Sequence, residues 1–187
     1  AFLDDPFARH VLPDLDERAD SLPFLYVVGV RYGVLFGTVY AAHAHAGELL
    51  GVAVWLPPGR HRTTPERTVE AGFLELGDLI DPEPLARFAR LQGYAAEVHE
   101  RDAPADHWYL TLVGIEPTYQ RHGLGSALLR PILARADDEG VPCYLETFAE
   151  ENLAFYARLG FDVVTAASEP ASGLPFWTFC RDPLRRP

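Results

Sequence analysis

Cysteine is scarce: Cys143 and Cys180 are the two thiols among 187 residues. Both fall in apolar segments and lack metal-ligand spacing. A disulfide scaffold and a zinc module are therefore excluded as organising principles, and the thiols read as reduced core residues of a cytoplasmic protein. Methionine is absent, so the chain is expected to lack its natural start. No uncharged apolar run reaches the about eighteen residues that cross a bilayer, and no signal-peptide pattern opens the chain. Neither a membrane partner nor an export signal is expected. Positive charge is also short: 16 Lys and Arg against 27 Asp and Glu leave a net charge of -11. That balance argues against a nucleic-acid backbone as partner. It favours, weakly and at long range, a cationic small molecule such as an amine. Internal repeats and low-complexity tracts are missing too.

What is present is an ordinary globular composition, 48% hydrophobic, long enough for one domain with a full core. Residues 1–17 read as a loop around a short helical end. The dense apolar stretch Arg18–Phe36 lacks alternation and is long, which favours a helix. Thr38–Ala42 and Leu49–Leu56 flank a short polar loop, the pattern of a hairpin. His43 and His45 on that hairpin have no carboxylate or thiol beside them and read as exposed residues, so no metal is expected. Thr64 before Pro65 marks a helix start, and Asp81 before Pro82 marks another. The latter helix runs towards His99. Trp108–Ile115 is a strand that leads, through Glu116–Pro117, into a glycine-rich turn and a helix ending near Asp138, with Gly140 as its C-cap. Pro131 inside that helix implies a kink. Val141–Thr147 reads as a buried parallel strand, Glu150–Leu159 as a helix, and Phe161–Thr165 and Phe176–Arg181 as late strands. The whole is an α/β chain with a mixed sheet.

The chemistry concentrates in the turn Gln120-Arg121-His122-Gly123-Leu124-Gly125-Ser126. A strand that turns sharply into a helix aims free backbone amides and the positive end of the helix dipole at one spot, which suits a phosphate. Gly123 and Gly125 let the backbone approach a ligand. Arg121 adds a cation and Ser126 a hydroxyl. The spacing lacks the lysine of a P-loop and the third glycine of a dinucleotide fingerprint. Tyr156, a strand and part of a helix further on, is either a packed aromatic or a proton donor. Glu146, near the end of its strand, is either a structural carboxylate or a base. Trp55, Phe73, Trp108, Tyr109 and Trp177 are either packing residues or walls of an acceptor pocket.

The turn resembles the acyl-CoA-binding motif of the GNAT superfamily of N-acetyltransferases, Q/R-x-x-G-x-G/A, through Gln120, Gly123 and Gly125. Asn152-Leu-Ala-Phe-Tyr-Ala-Arg-Leu-Gly-Phe161 resembles that superfamily's later N…F-Y…G-F segment. Within it the chain is most similar to the puromycin N-acetyltransferases, through V-G-I-E-P, G-L-G-S-A and L-E-T, over roughly residues 108–165. The resemblance implies a GNAT-like fold over 1–187: a mixed, largely antiparallel sheet with two splayed parallel strands, the superfamily's usual first strand falling before Ala1. It implies acetyl-CoA as cofactor, with the backbone of Val113 and Ile115 on pantetheine, Gln120 to Ser126 on the diphosphate, Asn152 on the cofactor arm and Tyr156 at the sulfur. The implied reaction is acetyl transfer to a small-molecule amine, an aminonucleoside-like antibiotic being one candidate. A non-catalytic acyl-CoA-binding or sensing module is the alternative, and monomer and homodimer both remain open.

Overall fold

A computed structural model describes residues 1–184. Asp5 caps α1 (Pro6–Val11): its carboxylate accepts from the Phe7 amide. The long apolar stretch is a helix, α2 (Leu15–Phe36), started by Asp14. Its length and hydropathy alone would let it cross a membrane. In the fold it buries Leu22, Leu25, Val28 and Tyr32. The expected hairpin forms as β1 (Thr38–His43) and β2 (Leu49–Leu56), paired antiparallel. Thr64 caps α3 (Pro65–Glu70) as its position before proline requires. A single turn of helix, α4 (Leu76–Leu79), precedes α5 (Pro82–Asp102), which continues past His99.

Then follow β3 (Trp108–Ile115), α6 (Leu124–Glu139) and β4 (Cys143–Thr147). The expected C-cap holds: Gly140 has φ 67°, the left-handed conformation glycine adopts without a Cβ penalty. Pro131 lies inside α6 and the helix runs on through it to Glu139. The helix expected over Glu150–Leu159 is shorter than its pattern. It forms as a 3₁₀ turn at Glu150–Asn152 and α7 (Leu153–Ala157). The chain ends in β5 (Asp162–Ser168) and β6 (Pro175–Arg181).

Among the described residues six strands form one sheet in the order β1-β2-β3-β4-β6-β5, and only the β3–β4 pair is parallel. One core gathers the inward residues of β2, β3, β4 and β6 with α6 and α7, including Trp55, Trp108, Leu129, Leu145, Tyr156 and Phe179. A second gathers α1, α2, α4 and α5 around Leu12, Leu25, Leu76 and Leu91. Arg181 on β6 is held by Asp137 on α6 through two bonds of 2.7 and 2.9 Å, tying the last strand to the helix. Both cysteines are free thiols. Burial pushes Cys143 up to about 12, which keeps it protonated and inert.

Candidate active site

The site begins with a defect in the sheet. β3 has eight residues, yet only Trp108, Tyr109 and Leu110 pair with β4, opposite Cys143, Tyr144 and Leu145. Beyond Leu110 the two parallel strands separate. A bulge explains where. Trp55 faces Leu110 and Val54 faces Leu112, so Thr111 is the extra residue. Its hydroxyl donates to the Val54 carbonyl at 3.2 Å. A bulge bends its own strand, and here it turns the rest of β3 off the line of β4.

The separated edge carries unpaired backbone. The Glu116 amide bonds the Leu50 carbonyl on β2. Antiparallel ladders alternate, so Gly114 and Leu112 also face β2, while Val113 and Ile115 turn their N–H and C=O groups away from it, to the side β4 has vacated. The Ile115 carbonyl is taken by the Gln120 side chain at 3.2 Å. Gln120 therefore ties the glycine-rich turn back to β3.

That turn is built for exposed amides. Arg121 has φ 62° and Gly123 φ 84°, both left-handed. α6 starts at Leu124 with no side-chain cap, and its first bonded amide is that of Ala127, to the Gly123 carbonyl at 3.0 Å. Among the described residues the amides of Gly123, Leu124, Gly125 and Ser126 have no acceptor. Gly125 is needed for a different reason. A Cβ there would lie 3.2 Å from the Phe155 ring and 3.7 Å from Ile115. The residue thus lets α6 start in contact with both β3 and α7. Arg121 and His122 are exposed beside these amides.

Where the strands part, a cavity of about 310 Å³ opens. Val113, Glu146, Asn152 and Tyr156 all line it; the turn residues lie one step further along β3 and do not. Burial, and then the charge of Asp5, raises the Tyr156 hydroxyl well above the usual tyrosine range, so it keeps its proton. Among the described residues that hydroxyl has no hydrogen-bond partner. Asn152 donates to Thr147 Oγ1 at 3.4 Å, fixing the start of α7 to the end of β4. Tyr109 donates to Glu146 Oε2 at 2.7 Å, so it belongs to the site, whereas Trp108 is core, its indole N–H held by Glu139. Phe73 lines the cavity, Trp55 is buried and Trp177 packs against the first core. His43 and His45 are exposed, as expected for hairpin residues. Among the described residues no cluster of His, Cys, Asp or Glu could hold a metal.

Glu146 has one histidine neighbour, His99, and through it two more, none marked by a sequence motif. His99 at the end of α5, His107 before β3, and His61 in the loop before α3 stack together, with ring centroids 4.5 to 5.3 Å apart. No spacing rule links positions 61, 99 and 107; only the fold brings them together. The aromatic walls Phe2, Phe7, Tyr26, Phe88 and Phe148 come from segments equally remote in sequence. The carboxylate of Asp5 also lines the cavity, and burial raises its affinity for a proton.

A model of the acetyltransferase (GNAT) family matches residues 6–161. An uncharacterized N-acetyltransferase of Schizosaccharomyces pombe is 29% identical over 168 residues, 86% of this chain and 66% of the relative. The chain thus spans just under two thirds of that protein. Among solved structures, an acetyltransferase of Corynebacterium glutamicum, of the histone acetyltransferase HPA2 and related group, superimposes with a TM-score of 0.66. It is 24% identical, and the match covers 100% of this chain and 87% of that one. The polyamine N-acetyltransferase of Drosophila melanogaster, which forms N-acetylagmatine, gives a TM-score of 0.60 at 17% identity, covering 97% and 88%. At these identities the two structures establish the fold.

Proposed function

The chain belongs to the acetyltransferase (GNAT) family, and from that membership and the site geometry we propose that it transfers the acetyl group of acetyl-CoA to the amine of a small molecule. The observation that carries this reading is the parting of β3 from β4 at the Thr111 bulge. It leaves the backbone of Val113 unpaired along a cavity that Tyr156 and Glu146 also line.

The residues fit the cofactor. The pantetheine arm carries amides and can pair with Val113 and the Ile115 N–H as a short extra strand. The diphosphate suits the four unbonded amides from Gly123 to Ser126, with Arg121 and His122 as flanking donors. Asn152 stands where the arm would pass. When bound, the cofactor supplies a thioester whose carbonyl carbon accepts the amine.

The reaction needs a neutral amine, because an ammonium has no lone pair. Glu146 takes one N–H proton from the ammonium, directly or through water, and the electron pair stays on nitrogen. The neutral nitrogen would then be placed to form a C–N bond at the thioester carbon, as the C–S bond breaks with its electrons on sulfur. Tyr156 would give its hydroxyl proton to the sulfur and be restored by the nitrogen's second proton, while Glu146 would release the first to solvent. Net, an ammonium and an acetyl thioester give an amide, a thiol and one released proton. The burial that weakens Tyr156 as an acid also raises the proton affinity of a thiolate formed beside it. An N–H of the parted β3 edge suits the oxyanion.

The cavity walls support one reading of the acceptor. An amine on an aromatic or apolar body fits a cavity lined by Phe7, Tyr26, Phe73, Phe88 and Phe148 with carboxylates at Asp5 and Glu146. An aminonucleoside-like antibiotic has that form, and the motif likeness to the puromycin acetyltransferases supports it. The free thiols support a reducing, cytoplasmic setting. The test is an amine panel with acetyl-CoA, scored by release of free CoA thiol. Aminonucleosides and arylalkylamines should turn over. Acetyl-CoA binding with no turnover of any amine would favour the non-catalytic acyl-CoA-binding module instead.

A further inference from the structure

The histidine cluster beside Glu146 is linked by close contacts that constrain where its hydrogens lie. His107 Nδ1 lies 2.6 Å from the Pro104 carbonyl, which can only accept, so Nδ1 carries the hydrogen. Burial pushes His107 down to about 4, leaving the ring neutral and its Nε2 a bare acceptor. His99 Nε2 lies 3.0 Å from that atom and must therefore be the donor. Its other nitrogen, Nδ1, lies 2.9 Å from Glu146 Oε1, and the two side chains are 9% and 8% exposed. The approach is off the hydrogen-bond line, since Oε1 has no aligned donor among the described residues. It is a close N–O contact, ionic when His99 carries a second proton. Among the described residues Glu146 makes no other ion pair.

A neutral His99 that gives its hydrogen to His107 would face a buried carboxylate with a bare nitrogen. One proton on Nδ1 turns that repulsion into attraction. We propose that His99 is a positioning residue for Glu146: His107, anchored on Pro104, fixes its tautomer, and the ring stands beside Glu146 as a cation that keeps the carboxylate ionised and ready to accept. This rests on the reading of Glu146 as the base.

The other groups that face the pair do not replace this charge. Tyr109 gives a neutral hydroxyl to Oε2 and sets its ring edge against His99 at 4.4 Å. Tyr144, on the strand of Glu146, lies 4.6 Å from the His99 ring. His61 stacks on His99 at 5.3 Å, and burial and then the charge of His99 lower its proton affinity, so it stays neutral. Arg62, Glu100 and Asp106 act on this cluster from the surface, the first two as an exposed pair at 2.6 Å.

Two measurements on the full chain test the proposal. The first is the ¹⁵N shift of the histidine ring nitrogens at pH 7, which needs no turnover. His99 should show two protonated nitrogens and His107 the Nδ1–H neutral form. His107→Leu should release His99 to a neutral Nδ1–H ring. A neutral His99, or His107 hydrogenated at Nε2, overturns the proposal. The second is the pH profile of kcat/KM for the wild type, His99→Gln and His99→Phe. Both variants should move the acid limb upward, with loss greatest at low pH. Rescue of the wild-type limb by His99→Gln, or a loss equal at every pH, would show a neutral hydrogen bond or a packing role and overturn the cation. If the ring shifts hold while no amine is acetylated, the transferase reading fails and the charged pair stands.

Discussion

Tyr156 and Gly125 show how much depends on single side chains. Tyr156 is buried, keeps its proton and makes no hydrogen bond among the described residues, so in this fold it is free to give that proton to a leaving group. Tyr156→Phe keeps the ring packing against Phe161 and Phe179 and removes only the hydroxyl. Acetyl-CoA affinity should stay within a factor of about two, while kcat falls by roughly 10²-fold, the usual size of a proton-transfer contribution. Calorimetric binding beside steady-state kinetics would separate the two, and an unchanged kcat would remove Tyr156 from the chemistry. Gly125→Ala should act through the cofactor instead. Its Cβ meets the tip of the Phe155 ring at 3.2 Å, so that ring must give by a few tenths of an ångström beside the first turn of α6. An increase in the KM for acetyl-CoA of about tenfold is expected, with stability little changed.

Among the elements, β3 organises the site, because the Thr111 bulge separates its first half, paired on both sides, from its second, paired on one. Val113 gives no hydrogen bond to β2, so Val113→Pro removes a donor the sheet does not use. Acetyl-CoA binding should drop by at least about tenfold, near the 1.4 kcal/mol of one net hydrogen bond. The far-ultraviolet circular dichroism spectrum should stay that of the wild type; loss of fold together with binding would refute the assignment of that edge. The strand itself was legible in sequence from Trp108 to Ile115, and so was the turn, because tight backbone turns demand glycine at fixed offsets. The bulge was not, since Thr111 is an ordinary strand residue whose register is set by β2. The short α7 was missed for a related reason: Asn152 is tied to Thr147, so the pattern from Glu150 starts as a 3₁₀ turn. The histidines were missed because α5, β3 and the loop before α3 meet only in the folded chain.

At the level of the whole molecule, one buried and two half-buried neutral histidines shape the response to acid. His107 is held down to about 4 from an ordinary 6.5, and His61 and His10 are lowered too, each first by burial. Between those two values the unfolded chain binds more protons than the folded one, so stability is full above the ordinary histidine value and falls as pH drops towards 4. For His107 alone the loss from pH 7 to pH 5 is about 2 kcal/mol at most, less where solvent screens it. Urea unfolding at the two pH values should show it, and His107→Leu should flatten the slope; a wild type equally stable at both would contradict the burial. The acidic surface, net charge -11, suits the approach of an ammonium and not of a polyanion, so cofactor capture rests on local amides rather than on the overall field. The most direct test is therefore a crystal structure of the chain with acetyl-CoA. The diphosphate oxygens should lie within hydrogen-bond distance of the amides from Gly123 to Ser126, with pantetheine beside Val113 and the sulfur next to Tyr156. A cofactor bound elsewhere, with those amides facing solvent, would contradict the account.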